Sequence, residues 1–154
     1  MDAGSTEAIW ALAQYFGELD RRFVDGFDTD EALAEAASSL NPPSGLFVVA
    51  QVGDDVVGCG AILWIDDATA EIKRMWVDSQ RRGIGLGKRL LAHLEGEVQS
   101  WGRSRVVLDT NSSLNEAISM YRALGYHAIQ RYNDNRYAHH WFSKTLREDE
   151  SDRP

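Results

Sequence analysis

At residue 46 the hydrophobic period of the chain changes, and this change limits the fold more than any other feature. Before it, Ile9, Leu12, Ala13, Phe16, Leu19 and Phe23 recur at helical spacing, with Ser5 or Thr6 as a cap and Glu7 in the first turn. A second, short helix is expected over "DTDEALAEAASSL", stopped by Asn41-Pro42-Pro43, where proline cannot continue a helix. After residue 46, "LFVVAQV", a "GDD" turn, "VVGCGAILWI", a "DDA" turn and "TAEIKRMWV" predict three antiparallel strands joined by hairpins. Downstream, "GKRLLAHLEGEVQSW" is an amphipathic helix and "SRVVLDT" a short buried strand. "NEAISMYRAL" is a helix that Gly125 stops. "YHAIQRY" and "YAHHWFSKTL" are expected to close the domain as strands around a polar "NDNR" loop. Helices, a meander, then β-α-β-α-β-β describe a mixed α/β sheet. No linker divides residues 1–146, which are expected to form one domain, with 147–154 as a disordered tail.

The chain is long enough, at 154 residues, to bury one sizeable core. Its net charge of −8 argues against a broad nucleic-acid surface. A lone Cys59 excludes an intramolecular disulfide and, inside an apolar run, reads as core. The opening "MDAGSTEAIW" lacks the basic-then-apolar pattern of a signal peptide, and no apolar stretch reaches the roughly 18 residues of a membrane span. A cytoplasmic chain with no membrane partner is therefore expected. No metal is expected either: His139 and His140 are adjacent, with no spaced carboxylates or cysteines beside them.

Between the third strand and the next helix, "RGIGLGK" sets Gly83, Gly85 and Gly87 on alternate positions. Glycines let a backbone approach a ligand closely, and the first amides of a helix are free to bind an anion. Arg82 and Lys88 add positive charge. A Walker-type loop requires Gly-x-x-x-x-Gly-Lys-Ser/Thr; here the spacing fails and Arg89 follows Lys88. A dinucleotide turn is a closer rival, because Asp109 ends the next strand at a plausible ribose position. Its glycines should run G-x-G-x-x-G directly after the strand, whereas residues 78–82 intervene here. A glycine-rich turn with no ligand is the plain alternative, and glycines at a helix start are unfavourable without some reason. The remaining reading is a pyrophosphate cradle for an acyl-coenzyme A.

"RGIGLGKRLL" resembles motif A of the GNAT superfamily of N-acetyltransferases, commonly Arg/Gln-x-x-Gly-x-Gly/Ala, with Arg82, Gly85 and Gly87 in the pattern. "AEIKRMWVD" resembles the fourth strand of these enzymes, and "EAISMYRALGYHAI" resembles their motif B. The resemblance spans roughly residues 46–146. It implies a GNAT-like fold: a twisted, mostly antiparallel sheet flanked by helices and splayed between parallel strands at 69–77 and 105–110. It implies acetyl-CoA as cosubstrate, its pantetheine arm in the splay beside the backbone of Met75, Trp76 and Val77, with a Met75 or Trp76 amide polarising the thioester carbonyl. Arg82 with the amides of Gly83, Ile84, Gly85, Leu86, Gly87 and Lys88 would hold the pyrophosphate. Many relatives carry Asn three residues before the motif B alanine; this chain has Leu114 there, so Asn115, or else Asn111, would take that contact. The family usually opens with a strand, whereas this chain opens with a helix: the strand is either squeezed into residues 1–6, replaced by a partner's, or lost, which leaves a sheet edge that a second copy could cover as a homodimer.

Attack on a thioester requires a neutral amine, and deprotonating a lysine-like amine at pH 7 costs roughly 4–5 kcal/mol. From the resemblance, Glu71 is the expected base; its plainer reading is a solvated hairpin residue or a partner for Lys73 or Arg74. Tyr121, at the motif B position, is the expected donor to the departing thiolate, by hydrogen bonding more than by full transfer. Its plainer reading is packing beside Ile118 and Leu124. Tyr15 and Arg22 from the first helix, with Tyr132 and Asn135 from the closing segment, are expected acceptor contacts. The expected function is transfer of an acetyl group from acetyl-CoA to a primary amine of a small molecule or peptide, by direct attack in a ternary complex. A non-catalytic acyl-CoA-binding sensor of the same fold is the alternative. The acidic surface around a basic pocket points to a cationic acceptor.

Overall fold

Turn chemistry builds the first three strands. In the computed structural model, which describes residues 2–3, 5–22, 40–41, 43–78, 80 and 85–146, Gly53 takes a left-handed φ of 61° between β1 (Gly45–Val52) and β2 (Asp55–Trp64). The next hairpin, into β3 (Thr69–Val77), is closed by Asp66, whose Oδ1 accepts the amides of Ala68 and Thr69, each at 2.8 Å. Helix α1 (Thr6–Arg22) precedes the meander. After it come α2 (Leu86–Ser100), β4 (Arg105–Thr110), α3 (Asn115–Ala123), β5 (His127–Ala128) and β6 (His140–Thr145). The expected second helix, apart from Leu40, lies outside the described residues, as do Phe23, Arg82, Gly83, Ile84, the tail from residue 147 and the side chain of Arg22.

The six strands form one sheet in the order β1-β2-β3-β4-β6-β5. Only β3 and β4 run parallel, with α2 as their crossover. Their pairing is short: Thr69 with Arg105, Ala70 with Val106, Glu71 with Val107. Beyond that point β3 pairs with β2 and β4 with β6, so the sheet splays. This is the expected mixed, mostly antiparallel sheet opened at its parallel pair.

Each face of the sheet carries its own core. On one, Leu12, Phe16 and Leu19 of α1 pack on Phe47, Cys59 and Trp76. On the other, α2 and α3 cover Ile62, Ile72, Val106, Leu108 and Phe142. The buried stripe of α2 is Leu90, Leu91, Leu94 and Val98, each contributing about 1.5–3 kcal/mol by leaving water. Gly60 lets the helix approach, since a Cβ there would lie 2.6 Å from Leu94 Cδ1.

The closing strands depart from expectation. "YHAIQRY" pairs only at His127 and Ala128, and β6 starts at His140 and not Tyr137. Side chains take the backbone amides in between: Asn133 Oδ1 accepts from the Asn135 amide at 3.3 Å, and Asn135 Oδ1 from the Tyr137 amide at 3.0 Å. Such local asparagine turns compete with a ladder.

Candidate active site

The splay opens a cleft of about 420 Å³, within the usual range for a small-molecule site. Met75, Trp76 and Val77 of β3 form one wall, Gly85 to Lys88 at the start of α2 the mouth, and Tyr121 of α3 the far end. An inner chamber of about 70 Å³ adjoins it. The two share Tyr15, Met75 and Tyr121, and the chamber adds Arg74, Asp109 and Asn135.

The mouth is built to receive an anion. Gly85 caps α2 at φ 81°, a left-handed conformation that a side chain would strain. The first helical bond runs from the Arg89 amide to the Gly85 carbonyl at 3.1 Å, so the amides of Leu86, Gly87 and Lys88 precede it. No acidic residue stands in this first turn, so the helix itself sets no carboxylate against the positive end of its dipole. A Cβ on Gly87 would sit 3.3 Å from Met120 Sδ, crowding the gap between α2 and α3. Free amides, a close-approach glycine and a long, mostly apolar cleft beyond them fit a ligand with a diphosphate at one end and a slender apolar arm.

The β3 wall carries a bulge that nothing in the sequence signals. The register steps from Ala61–Lys73 to Cys59–Trp76, so Arg74 and Met75 together oppose Gly60. Arg74 is the one non-glycine residue with positive φ, at 58°, among the described residues. The bulge turns Met75 and Val77 toward the core of α2 and α3, and Trp76 toward that of α1. Gly58 on β2 permits this, since a Cβ there would fall 2.8 Å from the Trp76 carbonyl oxygen.

Tyr121 is buried and lines both cavities, its hydroxyl 3.9 Å from Met75 Sδ. Burial, with the Tyr15 phenol and the Asp109 charge nearby, pushes its phenol above the ordinary range, so it remains a donor. It also packs on Tyr126 and Phe142, as its plainer sequence reading expects. Tyr15 lines both cavities too, and burial pushes its phenol up to about 12, partly offset by the Arg74 charge. Glu71 is buried but lines neither cavity. Its carboxylate accepts hydrogen bonds from the Tyr132 hydroxyl at 2.5 Å and Asn133 Nδ2 at 3.2 Å, and Lys73 Nζ lies 3.7 Å away.

Asp109 is the carboxylate that lines the chamber, a role sequence reasoning missed. Asn133 Nδ2 donates to it at 2.6 Å and Asn135 Nδ2 at 3.0 Å, so Asn133 bridges Glu71 and Asp109. The signal was available: an aspartate ends the strand next to the splay, and "NDNR" supplies amides. Asn135 thus lines the chamber itself, whereas Tyr132 is joined to it only through Glu71 and Asn133. Asn115 is exposed and lines neither cavity. Asn111 lines the chamber, but its side chain is spent on loop structure, donating to the Tyr137 carbonyl at 2.6 Å and accepting from the Ser113 amide at 2.9 Å. Cys59 is fully buried and burial pushes its thiol well up, which leaves it inert.

The chain is similar to known proteins in both sequence and fold. A model of the acetyltransferase (GNAT) family matches residues 10–126. The chain is 34% identical over 117 residues to an IAA acetyltransferase of Azospirillum brasilense, covering 75% of this chain and 76% of that one. Among solved structures, a GNAT-family acetyltransferase of Staphylococcus aureus superposes with a TM-score of 0.80 at 17% identity, covering 93% of this chain and 96% of that one. A GNAT-family acetyltransferase of Elizabethkingia anophelis with acetyl-CoA bound superposes at 0.59 and 18% identity, covering 67% and 77%. With the family model spanning more than half of its length and a relative above 30% identity covering three quarters of it, this chain belongs to the GNAT acetyltransferase family.

Proposed function

We propose that this acetyltransferase uses acetyl-CoA to acetylate a primary amine, by direct attack while both substrates are bound. The observation that carries the reading is the continuous cleft from the α2 amides along Met75–Val77 to Tyr121, ending in a chamber with its own carboxylate. Bound acetyl-CoA would supply the activated thioester. Amides at the start of α2 would hold its diphosphate, and the bulged wall at Met75 and Trp76 would align its arm. Arg82, Gly83 and Ile84 complete that cradle in the proposal.

The chain's own groups then handle protons. Asp109, lining the chamber, is better placed than Glu71 to hold the acceptor ammonium and receive its proton; Glu71 acts on it through Asn133. A carbon–nitrogen bond forms, the carbon–sulfur bond breaks, and the amine's proton leaves by way of Asp109 and solvent. Tyr121 donates a hydrogen bond to the departing sulfur. Its raised affinity for its proton makes full transfer unfavourable and donation dependable.

The test is release of free thiol from acetyl-CoA against a broad amine panel. An amine-dependent signal is expected, weakened in Tyr121→Phe and Asp109→Asn. Tight coenzyme A binding with no thiol release for any amine would favour a sensor of the same fold.

A further inference from the structure

Acetyl transfer as proposed gives no task to Arg74 of the inner chamber. Arg74 lines it from the β3 bulge with a left-handed backbone, φ 58°. Glycine adopts that region freely and arginine does not. Strain of this kind collects at functional positions. The Arg74 Nε is buried with no hydrogen-bond partner among the described residues. An unsatisfied buried donor is costly, the more so on a charged group. The Phe16 ring, its centroid 5.0 Å from the guanidinium carbon, supports the group through a π contact, and the Tyr15 hydroxyl accepts a hydrogen bond from it, which leaves Nε unmet.

The chamber thus presents a cation and an anion. Arg74 stands on β3 with Lys73 beside it, while Asp109 stands on β4, its carboxylate fixed by Asn133 and Asn135. A guanidinium fork matches a carboxylate in geometry and charge. The volume, about 70 Å³, has room for a few water molecules and suits a small head group.

We infer that the acceptor carries a carboxylate beside its amine, as an α-amino acid does, with the ammonium held at Asp109 and the carboxylate bound by Arg74. This rests on the N-acetyltransferase reading and narrows its acceptor from any cationic amine to a zwitterion. The experiment compares kcat/KM for the common L-amino acids with that for their carboxamides, in the wild type, Arg74→Gln and Arg74→Gly. For the preferred amino acid, the wild type is expected to favour the free acid by about ten- to hundredfold, the scale of a charge-assisted hydrogen bond. In both variants that ratio should fall toward one. Arg74→Gly removes the backbone strain, so it should fold at least as stably, which separates lost recognition from lost structure.

A wild-type ratio near one, as expected if the guanidinium is neutralised within the protein, would overturn the inference. So would variants that lose both acceptors equally, or that raise KM for acetyl-CoA while keeping the ratio. Thiol release with simple amines but with no amino acid would overturn it and leave amine acetylation standing. Coenzyme A binding with no thiol release from any acceptor would overturn the underlying reading itself.

Discussion

Tyr121 combines a packing role with the donor role proposed for it. Buried between Tyr126, Phe142 and the cleft, it retains its proton, which fixes two expectations. Tyr121→Phe should bind coenzyme A normally but turn over about 10- to 100-fold more slowly, the low end of what a positioned proton donor contributes, measured by thiol release. The pH–rate profile should rise above pH 7, because the amine must lose a proton. It should show no fall from Tyr121 below about pH 10, because burial moves that phenol upward. Fold stability carries the same sign: the neutral form of Tyr15 is favoured in the folded state, from 10.0 to about 12. That stability is intact below pH 10 and lost as pH rises from 10.0 to about 12, which chemical denaturation at stepped pH would report. At this scale the sequence was partly legible. Tyr121 could be named from its motif B position and Tyr15 from the first helix, whereas Asp109 and Arg74 are brought to the chamber by a splay and a bulge that long-range pairing sets.

The elements were more legible, because periodicity and turn residues are local. The first three strands and the three described helices follow from the hydrophobic pattern and the turn residues between them. "YHAIQRY" misled because an alternating pattern says nothing about which side chains will capture backbone amides. Here Asn133 and Asn135 do so while also binding Glu71 and Asp109. Two glycines test how elements position the site. Gly85→Ala places a side chain at φ 81° and should cost about 1 kcal/mol of stability by urea unfolding, with weaker coenzyme A binding by calorimetry. Gly58→Ala sets a Cβ 2.8 Å from the Trp76 carbonyl oxygen, which must shift. It should cost about 1–3 kcal/mol and disturb the bulge, raising KM for acetyl-CoA.

For the whole molecule, the controlling fact is a sheet that pairs β3 with β4 over three residue pairs and then opens. The opening exposes the β3 wall, sets the start of α2 at one end and Tyr121 at the other, and joins the cleft to the chamber that Asp109 lines. A ligand bound this way stabilises the fold, by about 2.7 kcal/mol at a hundredfold excess over its dissociation constant. Coenzyme A should therefore raise the melting temperature, and NAD should not. The mixed sheet could be anticipated from element order, and its splay only from the family resemblance, because parallel pairing is long-range and leaves no periodic trace in either strand. The central claim is direct acetyl transfer to an amine inside this cleft. Initial rates of thiol release with acetyl-CoA and amine both varied test it most directly. Intersecting reciprocal plots, with the acetylated amine recovered as product, are the expected result; amine-independent thiol release, or parallel plots from an acetylated protein, would contradict it.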